Sequence, residues 1–168
     1  MSGDDVILQR RAERYATPER TEDGSTAEST QVLLFNLGPE LYALELRLLV
    51  AVQSARGLTP VPSTSGMIAG LLNVRGEILT IVDLRALLGI TPAVEEDEAA
   101  VLLAHGPGGQ FGLLVDRVVE TRYISLDTLD RSLSGRDYVR GVADGTIALL
   151  DLERLVTQDR LEVADDGL

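Results

Sequence analysis

The sequence contains no cysteine, no lysine and no tryptophan, and its only histidine is His105. Without cysteine there is no disulfide scaffold, thiolate zinc site, iron–sulfur cluster or cysteine nucleophile. Without lysine there is no Walker lysine and no Schiff-base lysine, because all fifteen basic residues are arginine. A single histidine also excludes a histidine-rich metal site.

Positive charge is scarce as well, and the formal net charge at pH 7 is −12. Such a field repels nucleic-acid phosphates and anionic lipids. Aromatic residues make up only 4% of the chain, which argues against a stacking platform for single-stranded nucleic acid. No apolar run approaches the roughly 18 residues of a membrane span, and the first residues lack a secretory signal pattern. We therefore expect a cytoplasmic protein with no nucleic-acid partner and no membrane insertion.

The composition, 45% apolar and 25% charged over 168 residues, is typical of a folded globular domain. Residues 1–30 are expected to form a polar extension, with a short amphipathic, arginine-rich helix followed by a linker from Thr17 to Thr30. Residues 158–168 form an acidic tail. The folded part is therefore expected between residues 31 and 157.

Within this part, short apolar runs alternate with turn residues, which predicts a mainly β fold with a few short helices. The predicted hairpins pair Val32–Leu37 with Leu41–Leu46, Met67–Val74 with Glu77–Val82, and Val101–Ala104 with Gln110–Val115. Many of these runs are apolar on both faces, as expected for strands that lie between two cores.

An internal repeat divides the folded part into two β-units, about 31–94 and 99–157, and leaves open an exchange of strands between them. Val32-Leu33-Leu34 matches Val101-Leu102-Leu103 at an offset of 69, and Tyr42 matches Phe111 at the same offset. We also match Val74-Arg75-Gly76 with Val139-Arg140-Gly141, which gives the second copy three extra residues before its aspartate.

Each copy ends with a strand, an aspartate and a Leu-x-x-Leu spacing. Asp83 and Asp151 are suited to cap the following helix, because a carboxylate accepts the free N–H groups of the first turn. For Asp151 we favour this structural role, whereas for Asp83 a structural and a functional role are weighed equally.

No catalytic, phosphate-binding or metal-binding pattern emerges. His105 lies in a Gly-Pro-Gly-Gly hairpin, where a solvated turn residue is expected, and the glycines that follow it open a strand and not a helix. The acidic run Glu95–Glu98 fits a solvated loop better than a site for a hard cation. We therefore expect no enzymatic activity, no cofactor and no metal.

The segment Gly70–Gly76 is unusual because it places Asn73 and Arg75 in an otherwise apolar hairpin. Either Asn73 and Gly76 merely shape the turn and Arg75 is exposed, or the segment recognises a partner. The residues alone leave both interpretations open.

The pattern G-x-x-N-x-R-G, followed by six mostly apolar residues and D-L-R, resembles the CheW-like domain of bacterial chemotaxis. The likeness covers about residues 30–157. It implies two SH3-like, five-stranded β-barrels that share a hydrophobic core, in a non-catalytic adaptor that couples a CheA-type histidine kinase, through its regulatory domain, to the cytoplasmic tip of chemoreceptors. The partner-binding positions that the resemblance implies are Leu46, Leu49, Val52, Gly70, Asn73, Arg75, Gly76 and Asp83.

One position departs from the family pattern. Ala51 stands where family members commonly carry a glutamate that can pair with the arginine of the R-G motif. Arg75 would then lack this partner, or use Glu45 or Glu77 instead. The departure bears on receptor binding more than on kinase binding.

Other functions compete with this adaptor role. The chain could be a β-barrel interaction module of another motility or sensory complex, with receptor binding lost. A purine site is a further alternative, but the sequence shows neither a glycine-rich phosphate cradle nor an aromatic clamp for it.

Overall fold

The computed structural model describes residues 28–62, 66–90, 98–133 and 135–156. The predictions for the N-terminal extension before residue 28, for Glu95–Asp97 and for the acidic tail lie outside these residues. The predicted mainly β fold with short helices is confirmed. The elements are β1 (Ser29–Leu37), β2 (Glu40–Glu45), β3 (Leu49–Ser54), β4 (Ile68–Val74), β5 (Glu77–Asp83), α1 (Leu84–Leu88), β6 (Ala100–Gly106), β7 (Gly109–Val115), β8 (Arg117–Ser125), β9 (Val139–Ala143), β10 (Ile147–Leu150) and α2 (Leu152–Leu155).

The strands form two five-stranded sheets. Sheet I has the order β3-β6-β7-β5-β4, and sheet II has the order β8-β1-β2-β10-β9. The hairpin β1–β2 from the first half of the sequence thus lies in sheet II, and the hairpin β6–β7 from the second half lies in sheet I. Each sheet contains strands from both halves of the sequence.

The strands pair in the same register within each of the two sheets, which confirms the internal repeat. In sheet II, Phe35 pairs with Tyr42, and in sheet I, Ala104 pairs with Phe111. These pairs differ by the same offset of 69 that the sequence shows. Each central hairpin also pairs in parallel with the last strand of a unit, β2 with β10 and β7 with β5.

The match between the two V-R-G triplets is wrong. Arg75-Gly76 forms the turn between β4 and β5, whereas Arg140-Gly141 lies inside strand β9. The structural counterpart of the Arg75-Gly76 turn is Asp144-Gly145, between β9 and β10; in both turns the two residues have positive φ. The glycine pair that corresponds in the two sheets is Gly70 and Gly141, because Gly70 faces Ile81 and Gly141 faces Leu149.

This correspondence reverses the expected difference in length. Between the equivalent pairs Leu72–Leu79 and Ala143–Ile147, sheet I has the six residues 73–78 and sheet II has the three residues 144–146. The extra residues form additional paired positions, Asn73 with Ile78 and Val74 with Glu77. The β4–β5 hairpin of sheet I is therefore the longer of the two.

Three clusters of buried side chains form the core. The largest lies between the sheets and combines sheet II residues such as Phe35 with sheet I residues such as Leu102, which confirms the predicted shared core. The other two lie on the opposite faces, one around Leu34 in sheet II and one around Leu103 in sheet I. Neighbouring residues of β1 and β6 face different clusters, so these strands are apolar on both faces.

An isolated bridge links the two edges of each sheet. In sheet I, Thr59, which follows β3, pairs with Leu71 of β4 through N–H···O distances of 2.8 and 2.9 Å. In sheet II, Asp130 pairs with Val142 in the same way. A Cβ on Gly70 would overlap the Thr59 carbonyl oxygen, so glycine at this position allows the close approach of the two backbones.

Both aspartates cap helices as predicted. The Asp83 carboxylate accepts hydrogen bonds from the backbone N–H groups of Arg85 and Ala86, and the Asp151 carboxylate accepts one from Arg154. No helix in the described part of the chain has the length and apolar character needed to cross a bilayer.

Candidate functional site

The end of the β4–β5 hairpin, residues 73–78, is largely exposed; we call it the hairpin tip. Arg75 and Gly76 have φ values of 54° and 84°, as a two-residue turn between twisted strands requires. The Asn73 side chain stabilises this turn, since its Oδ1 accepts a hydrogen bond from the Gly76 N–H at 2.9 Å. Asn73 and Gly76 therefore shape the turn that carries Arg75.

Arg75 is exposed and, among the described residues, forms no ion pair or side-chain hydrogen bond. Among the described residues, neither Glu45 nor Glu77 pairs with Arg75 in place of the glutamate that is missing at position 51. A guanidinium keeps its charge and presents five N–H donors, so an exposed one on an ordered turn is able to bind a carboxylate or carbonyl group of another protein.

Glu45 is unable to serve Arg75, because it is buried and has other partners. Its carboxylate accepts hydrogen bonds from Thr30 Oγ1 at 3.0 Å, from Arg47 Nε at 3.1 Å and from Arg140 Nη1 at 2.5 Å. Burial acts to raise the pKa of Glu45, but the hydrogen bonds from Arg47 and Thr30 and the charges of Arg47 and Arg140 outweigh it and hold the pKa below its usual range. The cluster fixes β2 to β9.

The corresponding turn of sheet II is held by ion pairs between side chains. Glu120, which corresponds to Ala51 in the shared register, pairs with Arg122 at 2.7 Å, and Arg122 also lies 3.5 Å from Asp144 at the β9–β10 turn. In sheet I the equivalent carboxylate is missing because position 51 is alanine. The absence of this carboxylate is consistent with an unpaired Arg75 at the tip.

Strand β3 contributes apolar surface to the same sheet. The predicted residues Leu46 and Leu49 are partly buried against the core between the sheets, so only part of each side chain is accessible. Val52 is 43% exposed. The sequence analysis missed Val50, which is 45% exposed because it is the extra residue of a β-bulge, and Ile78 at the hairpin tip, which is 58% exposed.

Gly70 and Asp83 lie at the other end of the hairpin. Gly70 pairs with Ile81 near the end of β5, and Asp83 is the last residue of that strand. The seven residues of β5 separate Asp83 from the turn by about 20 Å at roughly 3.3 Å per residue. The structure thus groups Asn73, Arg75 and Gly76 at the tip but places Gly70 and Asp83 away from them, in positions with structural roles.

The described residues hold no group of three side chains able to coordinate a metal ion. His105 is an exposed residue at the end of β6. What sheet I offers chemically is a directional cation on the β4–β5 hairpin and exposed apolar side chains, Ile78 on the same hairpin and Val50 and Val52 on β3. Such a combination suits protein–protein recognition, in which arginine and apolar anchors contribute much of the affinity.

Comparison with known proteins identifies the family. The CheW-like domain family matches residues 31–160. The chain is 27% identical over 145 residues to a protein of Rhizobium etli described as a probable chemotaxis protein CheW; the match covers 80% of this chain and 92% of that protein. It is 23% identical over 159 residues to the chemotaxis protein CheW of Helicobacter pylori, and here the match covers 90% of this chain and 95% of the relative.

A solved structure has the same fold. The crystal structure of the scaffolding protein CheW from Thermoanaerobacter tengcongensis matches with a TM-score of 0.68 and 24% identity, over 79% of this chain and 96% of that one. The match agrees with the two packed five-stranded sheets described above. Since the family pattern covers the whole of the described fold, this chain belongs to the CheW-like domain family.

Proposed function

We propose that this chain is a non-catalytic chemotaxis adaptor that couples a CheA-type histidine kinase to the cytoplasmic tips of chemoreceptors. The single observation that carries the proposal is the hairpin tip: within a chain of the CheW-like family, it presents an exposed Arg75, without an ion pair in the described part of the chain, on a turn that Asn73 holds in place. Because the motif residues Asn73, Arg75 and Gly76 form one exposed turn, they are available to a partner. The adaptor would act in the cytoplasm, at receptor arrays.

Coupling requires only binding. An adaptor that holds kinase and receptor together raises the effective concentration of each for the other. If it also binds one conformation of the kinase more tightly, it shifts the kinase toward that conformation. Val50, Val52 and Ile78 would supply buried apolar contact, and Arg75 would supply the directional polar contact. Leu46 and Leu49, which are partly buried against the core between the sheets, would support this apolar contact.

The test is a binding titration of the full chain against the regulatory domain of a CheA-type kinase. We expect Arg75→Ala to weaken binding by about tenfold, the loss typical of one well-placed polar contact. Arg122→Ala is the matched control, because Arg122 holds the corresponding turn in sheet II, and it should bind within about twofold of the wild type. Unchanged kinase binding by the Arg75→Ala variant would remove Arg75 from the interface.

A second candidate, an interaction module that binds the kinase but not receptors, is favoured by Ala51 alone. The register places Ala51 where sheet II has Glu120, so sheet I lacks the carboxylate that would orient its turn arginine. A parallel titration with a receptor cytoplasmic fragment separates the two functions. Kinase binding with no receptor binding would select the second candidate, and Ala51→Glu should then strengthen receptor binding if the missing carboxylate is the cause.

A further inference from the structure

Among the described residues, four arginines gather at one place in this strongly acidic protein. They line a cavity of about 410 Å³ at the start of β9 and beside α2; we call it the arginine cavity. The whole chain carries a net charge of −12, so this local group of cations contrasts with the protein as a whole. Within the described part of the chain, the charged residues that line the cavity are Arg131, Arg136, Arg140, Arg154, Asp137 and Asp151.

Only two of the four guanidinium groups have carboxylate partners among the described residues. Arg140 donates to the buried Glu45, and Arg154 lies 3.6 Å from Asp151. Arg131 and Arg136 form no ion pair there. Arg136 lies 5.9 Å from the centre of the Tyr138 ring, a cation–π contact that orients it without neutralising it. With Asp137, Asp151 and Glu45 set against the four arginines, the described residues leave a small excess of positive charge at the cavity.

The chemistry of the cavity suits carboxylates. Guanidinium groups stay protonated at all physiological pH values, and their planar N–H pairs match the two oxygens of a carboxylate. The cavity is more than ten times larger than the ~30 Å³ that one water occupies, so a single small anion would not reach all of its walls. Several carboxylates along one chain would, since the arginines come from a 3₁₀ turn, from the loop before β9, from β9 and from α2.

We propose that the arginine cavity binds an acidic segment of a partner protein. The overall charge of −12 opposes such a partner at long range, but the Debye length at physiological salt is about 8 Å, so contact is governed by the nearby arginines. This site is separate from Arg75, which lies at the tip of the sheet I hairpin. The proposal is therefore tested independently of the proposed adaptor function.

The experiment is a fluorescence anisotropy titration of the full chain with a fluorescein-labelled hexa-aspartate peptide at low and physiological salt. We expect binding that weakens as salt rises, and a loss of about tenfold or more in Arg131→Glu/Arg136→Glu. The matched control is Arg56→Glu/Arg117→Glu, which changes the net charge equally at two exposed arginines that do not line the cavity. This control should bind hexa-aspartate within about twofold of the wild type, apart from the small general effect of added negative charge.

Three results would overturn the proposal. They are an absence of hexa-aspartate binding by the wild type at low salt, an equal loss in both double variants, and displacement of the peptide by low-millimolar inorganic phosphate, which would mean a small-anion site. Circular dichroism melting shows whether each variant is folded. If the glutamate variant unfolds, Arg131→Ala/Arg136→Ala supplies the same comparison, with the same expected direction and a smaller loss.

Discussion

Sheets I and II have the same topology and register but different surfaces. In sheet II the short β9–β10 turn is held by Arg122, which also binds Glu120. In sheet I the β4–β5 hairpin is three residues longer, and its Arg75 forms no ion pair with any residue that the structure describes. The comparison teaches that two units with the same backbone pairing present different turns, because the sheet I hairpin is longer and position 51 lacks the carboxylate that Glu120 supplies in sheet II.

Among single substitutions, we expect the largest loss of unfolding free energy at Glu45. Its counterpart in the register of sheet I is the apolar Leu114. Glu45→Gln leaves Arg140 and Arg47 without their shared carboxylate, but both guanidinium groups keep solvent access, so we expect a loss of about 2–3 kcal/mol at pH 7. Urea denaturation followed by circular dichroism measures this. A loss below about 0.5 kcal/mol would show that the cluster does not stabilise sheet II, because an ordinary surface substitution has an effect of that size.

The pH dependence of the same variant sharpens the test. The folded-state pKa of Glu45 is lowered, so its stabilisation is complete above the unfolded-state pKa of about 4.3 and is lost as pH falls through the folded-state pKa. The difference in unfolding free energy between wild type and Glu45→Gln should therefore be constant near neutral pH and shrink below about pH 4. A difference that grows under acid conditions would contradict this assignment.

The two bridge glycines should respond unequally to alanine. A Cβ at Gly70 meets the Thr59 backbone, which is unable to move without breaking the bridge, whereas a Cβ at Gly141 meets the Leu129 side chain at 3.0 Å. We expect Gly70→Ala to cost about 2–3 kcal/mol and Gly141→Ala about 1 kcal/mol, by the usual cost of overpacking. Thermal melting of both variants measures the order, and equal losses would contradict it.

The smallest expected effect is on the two turn arginines. Arg122→Ala breaks two partly exposed ion pairs and should cost about 0.5 kcal/mol, while Arg75→Ala breaks none and should leave stability within about 0.3 kcal/mol of the wild type. Melting temperatures of the two variants make the comparison. A clear loss in Arg75→Ala would show that this residue is structural and would weaken its role in recognition.

Much of the fold could be predicted from the sequence because it depends on short-range patterns. The doubly apolar runs around Leu33 and Leu102 mark strands between two cores, and the offset of 69 marks the shared register. The V-R-G match failed because three shared letters outweighed the turn chemistry; Asp144-Gly145 is a better turn pair than Arg140-Gly141.

The site could be predicted only in part. Asn73, Arg75 and Gly76 follow from turn chemistry and lie together, but Val50 depends on a bulge set by pairing with β6, and Ile78 depends on the length of the hairpin. The partners of Glu45 could not be predicted either, because Arg140 is separated from it by 95 positions in the sequence. Such contacts depend on tertiary packing, which local patterns do not specify.

The central claim, that sheet I carries the recognition surface, is tested most directly by hydrogen exchange of this chain with and without the CheA-type regulatory domain. We expect binding to slow amide exchange at residues 73–78 and 50–52 and to leave the sheet II turn at 144–146 unchanged. Protection of the sheet II turn, with none at the hairpin tip, would contradict the claim.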